Sequence, residues 1–170
     1  MAAALSATPE LPEPLELPQP QRFLLLPPAE RALSIAVAML AVNETLSVGF
    51  IRDLQQRCET PVFRDVLDAI LADEAGHDDF GWEYVARSLE RFPSSSREVW
   101  KAVAQEALRP QRAQAETVLE AMAAGARRLD VWQEPELAAL GLFSPERQAL
   151  VFEHTLENEL APALRKLDLA

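Results

Sequence analysis

The stretch Asp73-Glu74-Ala75-Gly76-His77 sits in the middle of a long helical pattern, and its neighbours decide how the chain is read. Glu74 and His77 stand three residues apart, so on one helix they share a face, with Cβ atoms roughly 5–6 Å apart. Before Glu74 come Ile70, Leu67 and Phe63, and past His77 come Gly81 and Val85. A carboxylate and an imidazole thus interrupt an apolar stripe that should face a core. Glu44 repeats the arrangement on the preceding helix, with Leu33, Val37 and Leu40 before it and Val48 and Ile51 after it. An unpaired carboxylate is costly to bury, so such groups are normally paired or bound to a metal.

Working outward, the pattern extends to four helices. The first is expected from Pro28, a good first-turn residue, to about Arg57. Thr60-Pro61 signals the start of the second, expected to run unbroken to Arg91 or Phe92, where Pro93 and three serines stop it. The third takes its cap from Ser94 to Ser96 and runs to roughly Arg128, kinked or divided at Pro110. Glu134-Pro135 opens a short connecting turn that ends at Gly141. Ser144-Pro145-Glu146 starts the fourth helix, which reaches about Leu167 with a kink near Pro162. Such helices joined by short turns make an antiparallel bundle over residues 28–170.

In a helical hairpin, residues equally far from the turn lie at equal height. Glu44 is 13 residues before Arg57 and Glu74 is 13 residues after Pro61, so the two carboxylates are level. Continuing the count brings Glu116 and Glu157 near the same level, with His154 one turn before Glu157. Glu116 and Glu120 flank the apolar line of Ala115, Val118, Leu119 and Met122, and Glu106 and Glu153 are further candidates. A Glu on one helix with Glu-x-x-His on its neighbour is half of a di-metal carboxylate site.

Composition narrows the function classes. The 170 residues carry a net charge of −11 and show no basic stripe, which argues against nucleic acid and anionic membranes. Cys58 is the single cysteine, so neither an internal disulfide nor a thiolate metal cluster is available. No Ser–His–Asp set, phosphate loop or Cys-x-x-Cys is present. The first twenty residues lack Lys, Arg and a continuous apolar core, so no secretory signal is expected. No apolar run is read as reaching the ~20 residues that span a bilayer, and a cytoplasmic location is expected. Residues 1–27 read as a proline-rich extended arm, because seven of the 13 prolines fall within 1–28. Phe23-Leu24-Leu25-Leu26 is too apolar for a free tail and is expected to pack on the bundle or on another subunit.

Val42-Asn43-Glu44-Thr45, followed by Asp73-Glu74-Ala75-Gly76-His77 and Phe80-Gly81-Trp82, resembles the ferritin-like superfamily. The likeness is closest to small bacterial ferritin-like domain proteins and covers about residues 28–92. Over the second half it rests on helix count alone. The resemblance implies an all-α, ferritin-like four-helix bundle in which Glu44 binds one metal, Glu74 bridges two and His77 binds one. Asp73 would be its outer-shell residue, orienting a histidine on another helix. Iron is the implied metal, with manganese second, since carboxylates and imidazole suit either. Glu116, His154 and Glu157 would supply the remaining ligands, although His154 and Glu157 stand in reverse order and no second Glu-x-x-His exists. The link between the second and third helices is also shorter than the long crossover of that superfamily.

Three readings stay open. The chain is a di-iron oxidoreductase using dioxygen or peroxide, a degenerate bundle acting as an interaction module, or an iron storage or delivery subunit. Assembly as a homo-oligomer, whether dimer or shell, fits each of them. Trp82 and Tyr84 read as core or interface residues, and Trp100 and Trp132 as packing. Asp78 and Asp79 read as part of a solvated face.

Overall fold

The computed structural model describes residues 25–74, 76–125 and 132–170, and among these every regular element is a helix. Helix α1 spans Pro28–Arg57, α2 Pro61–Glu74, α3 His77–Leu89, α4 Arg97–Ala123 and α5 Glu134–Ala139. Helix α6 runs over residues 145–166. The expected end of the third helix near Arg128, and the arm up to Leu24, lie outside the described residues. By internal contacts the chain divides into residues 1–31 and 32–170. Of the first unit the described part includes the opening turn of α1, where the Arg31 N–H donates to the Pro27 carbonyl at 2.9 Å.

In the second unit α1 is the common neighbour. It packs against α2, α3, α4 and α6, and α4 packs against α6. The buried core takes Val37, Val42 and Leu46 from α1, Val85 and Leu89 from α3, Trp100 and Leu108 from α4, and Phe152, Leu160 and Leu164 from α6. Each such side chain contributes about 1.5–3 kcal/mol when fully withdrawn from water. Trp100 stacks at a tilt on Phe92, with ring centroids 4.7 Å apart. Trp132, expected to pack, is instead 58% exposed.

Two interruptions of the α-helical period shape the unit. In α1 the segment Ala36–Asn43 is π-helical, and the Glu44 N–H reaches back to the Met39 carbonyl five residues earlier. An i→i−5 turn holds an extra residue, so the buried face shifts by about 100°, one residue step of an ordinary turn. The core line accordingly follows Val37, Ala41, Thr45, Gly49 and Asp53. Leu40, expected in the core, is exposed. Helix α6 carries a second π segment at Leu156–Leu160, just before Pro162. A proline ring crowds the carbonyl four residues back, here that of Asn158, and the π segment lies at that point.

The second helix of the sequence reading is two helices. Gly76 has φ +99°, a conformation open to glycine, and it ends α2 and starts α3. Helix α4 passes through Pro110 without division, because that residue lies on the solvent side, where water can serve the carbonyl left without a donor. Ser144 caps α6 as expected, its Oγ accepting the Arg147 N–H at 3.1 Å.

Helix α1 was not expected to be apolar enough for a bilayer. Its 30 residues are, by length and composition, and half of its most apolar stretch is buried inside the fold. The isolated polar positions Asn43 and Glu44 break up the run in the sequence without lowering its average enough.

The second half of α1 is tied to α5 and α6 by ion pairs. Asp53 accepts from Arg57 Nε at 2.7 Å and from both Arg147 Nε, at 3.3 Å, and Arg147 Nη2. Arg57 also donates to Glu134, whose other oxygen accepts the Ser144 N–H at 3.1 Å. Burial alone would raise the Asp53 carboxyl, but hydrogen bonds and charge from Arg147 and Arg57 outweigh it, and Asp53 sits below its ordinary value.

We expect Asp53→Asn to lower stability by about 2–3 kcal/mol at neutral pH, less than for a fully buried pair because Arg147 is partly solvated. A carboxyl lowered in the folded state stabilises above its unfolded value and loses that contribution as pH falls through its folded value. Urea titrations should therefore show the wild-type advantage constant above about pH 5 and shrinking below about pH 4.

Candidate metal centre

Glu44, Glu74 and His77 arrive from three helices. Glu44 is the first residue after the π segment of α1, Glu74 is the last residue of α2, and His77 is the first of α3. One donor atom from each lies within 4.8 Å of the other two, and among the described residues this is the group that could hold a metal. His77 Nδ1 is 2.8 Å from Glu74 Oε2 and 3.8 Å from Glu44 Oε1. Donors each about 2.0–2.2 Å from one ion stand about 3 Å apart when adjacent, so small closure of the cluster accommodates a cation. Two carboxylates and an imidazole suit iron, manganese or zinc.

The break at Gly76 does not separate Glu74 from His77. The Phe80 N–H donates to the Gly76 carbonyl at 2.9 Å, so α3 starts at once and holds His77 against the end of α2. What carries α3 onto α1 is a close backbone approach. A Cβ at Gly81 would stand 1.8 Å from the Leu40 carbonyl oxygen, so only glycine fits there. Beside this contact the Trp82 indole N–H donates to Thr45 Oγ1 at 3.0 Å, and that hydroxyl donates to the Ala41 carbonyl at 2.8 Å. Trp82 thereby clamps α3 to α1 one residue from Glu44. Nothing in the spacing of the sequence singles out this role.

Glu74 and His77 shift one another's ionisation in opposite directions. A hydrogen bond with the Glu44 carboxyl, and another with His77, keep Glu74 below its ordinary value. His77 is raised, chiefly by its hydrogen bond to Glu74, with further charge from Asp73 and Glu44. Asp73 is exposed and acts on His77 through its charge, where the resemblance implied an orienting bond to a histidine on another helix.

The centre is not buried in the core. The His77 side chain is 56% exposed, Glu44 27% and Glu74 25%. Of the expected apolar stripe on α2, Leu67 is buried while Phe63 and Ile70 are exposed. The π segment explains Glu44, because it passes the core position to Thr45.

Glu116, His154 and Glu157 do not join this group. Glu116 is exposed on α4, one residue from the buried Ala115. His154 and Glu157 are exposed on α6, off the buried line of Phe152, Thr155 and Leu160. His154 lines a polar groove between α1 and α6 and meets Asn158 Nδ2 at 3.2 Å. The cations of that groove are paired, Arg52 with Glu159 at 3.1 Å and Arg147 with Asp53. Tyr84 sits at the exposed edge of α3 with Phe80, ring centroids 6.1 Å apart.

The chain matches no protein-family model, no curated protein and no solved structure.

Gly81→Ala should lower stability by about 3 kcal/mol or more, since the added carbon meets backbone and not a flexible side chain. The same variant should shift the Trp82 fluorescence, because α3 must lift from α1. Unchanged melting and emission would show that the helices do not approach in this way.

Proposed function

We propose that this chain is a metal-binding protein of ferritin-like character, with iron as its preferred ion and manganese second. The observation that carries the reading is the meeting of Glu44, Glu74 and His77, from three separate helices, with donor atoms within 4.8 Å. A chance cluster of surface acids does not call for a π segment ending at one member, a positive-φ glycine between the other two and a glycine-only backbone contact behind them. Each of these costs stability or restricts sequence, and each serves to place a donor atom.

On this reading α2 and α3 together stand for the long second helix of a ferritin-like four-helix bundle, with α1, α4 and α6 as the others. Glu44, Glu74 and His77 would hold the ion. Iron bound there would supply redox chemistry with dioxygen or peroxide. The chain's own part would be to fix the three donors at a site where His77 is the most exposed to solvent.

The test is metal content by elemental analysis after loading with Fe(II) without oxygen, and separately with Mn(II). About one ion per chain is expected from a three-donor set. The double variant Glu74→Ala, His77→Ala should lose it, with affinity weakened by about a hundredfold or more, beyond the 10–100-fold typical of outer-shell partners. Wild-type protein without metal under both conditions would refute the proposal.

A further inference from the structure

We infer that a second copy of this chain completes the metal centre, so that the ion-loaded protein is a two-fold dimer with the two clusters face to face. This rests on the metal-binding reading above.

The first ground is the ligand count. A di-metal carboxylate centre in a helix bundle takes one glutamate from each of two helices and Glu-x-x-His from each of two others. This chain brings together Glu44 with Glu74-x-x-His77, half of that set. The other half does not come from Glu116, His154 or Glu157, which lie exposed and outside the group. Two copies about an axis through the cluster supply four glutamates and two histidines. Such a contact is isologous, each surface meeting its own equal.

The second ground is what surrounds the donors. Each has an exposed apolar residue one turn away on its own helix face. Met39, whose carbonyl accepts the Glu44 N–H, is 53% exposed, Ile70 lies four residues before Glu74, and Phe80, three after His77, is 59% exposed. A turn further on, Ile35, Val66 and Tyr84 continue the three stripes and are exposed too. Scattered exposed hydrophobes need no explanation, but stripes running from all three ligands form one patch centred on the cluster. Helix α3 lies along the π segment of α1 and α2 along its second half, so the patch flanks the donors on both sides. That is the surface a two-fold axis through the donors would bury.

Charge sets the order of events. Bringing the two clusters together gathers four carboxylates, which repel unless cations lie between them. The dimer should therefore form with metal and weaken without it, although the apolar patch is always there.

The experiment is sedimentation velocity on the full-length protein with Mn(II), which resists oxidation during the run, and with EDTA in its place. The metal-loaded chain should sediment as a dimer holding two ions, and the EDTA-treated chain as a monomer at the same concentration. Val66→Glu and Phe80→Glu, at exposed positions that are not ligands, should abolish the dimer and weaken Mn(II) binding at least tenfold, with helical circular dichroism retained. As a check needing no variant, the apparent Mn(II) affinity of wild type should rise with protein concentration. A monomer that holds Mn(II) with an affinity independent of concentration overturns this inference and leaves the metal reading standing. A dimer indifferent to both substitutions overturns it too. No Mn(II) and no Fe(II) bound at any concentration refutes the metal reading, and this inference with it.

Discussion

The i→i−5 hydrogen bonding between Ala36 and Asn43 is the constraint on which the rest of the second unit turns. Had α1 stayed α-helical, the line of Leu33 and Val37 would have carried Leu40 and Glu44 into the core. The extra residue per turn hands those positions to Ala41 and Thr45, both buried. Small side chains there let the neighbouring backbone come close, and α3 uses that opening at Gly81. Thr45, with its hydroxyl turned back to the Ala41 carbonyl, then becomes the acceptor for Trp82. One change of helical period therefore sets the position of Glu44, the seat of α3 and, through α3, the position of His77.

The sequence made the helices legible because their ends are written in residues with strong local effects. Pro28, Pro61, Ser144 and Gly141 mark boundaries through ring geometry, side-chain capping and positive φ, all of which act within a few residues. The level placement of Glu44 and Glu74 was legible for the same reason, since it needs only a short turn and a constant rise. What was not legible is whatever depends on helical phase. Eight π residues in α1 move the core face, and a reading at 3.6 residues per turn then assigns Leu40 and Glu44 to the interior. Leu40 is exposed and Glu44 is half-buried. Gly76 misled in another way. An isolated glycine is tolerated within a helix, and only the tertiary seat of α3 makes its positive φ the better choice. The pairing of Asp53 with Arg57 has i, i+4 spacing but was not read from the sequence, and Arg147 lies 94 residues away and joins it only through packing.

The two charged sites on α1 are handled in opposite ways. Asp53 is buried with two guanidinium partners, so its charge is matched within the chain and serves to fix α5 and α6. Glu44, nine residues earlier, faces another acid and a histidine. His77, whose Nδ1 stands 3.8 Å from Glu44 Oε1, carries a positive charge only when protonated.

Half-exposure is what makes a cluster with two carboxylates tolerable in this fold. Two carboxylates at full burial would each carry a desolvation penalty of several kcal/mol, and a fold of ordinary stability could not hold them without metal. At the edge of α1 the three side chains keep part of their hydration instead. The same exposure leaves a three-donor centre open to solvent, and carboxylates in water compete for cations with their own hydration. On the proposed reading, covering the centre after an ion arrives would resolve the conflict: the donors would keep their hydration until charge is matched, and the dielectric around them would then fall. The apolar stripes beginning one turn from each donor are what such a cover would need, and they face solvent in the single chain.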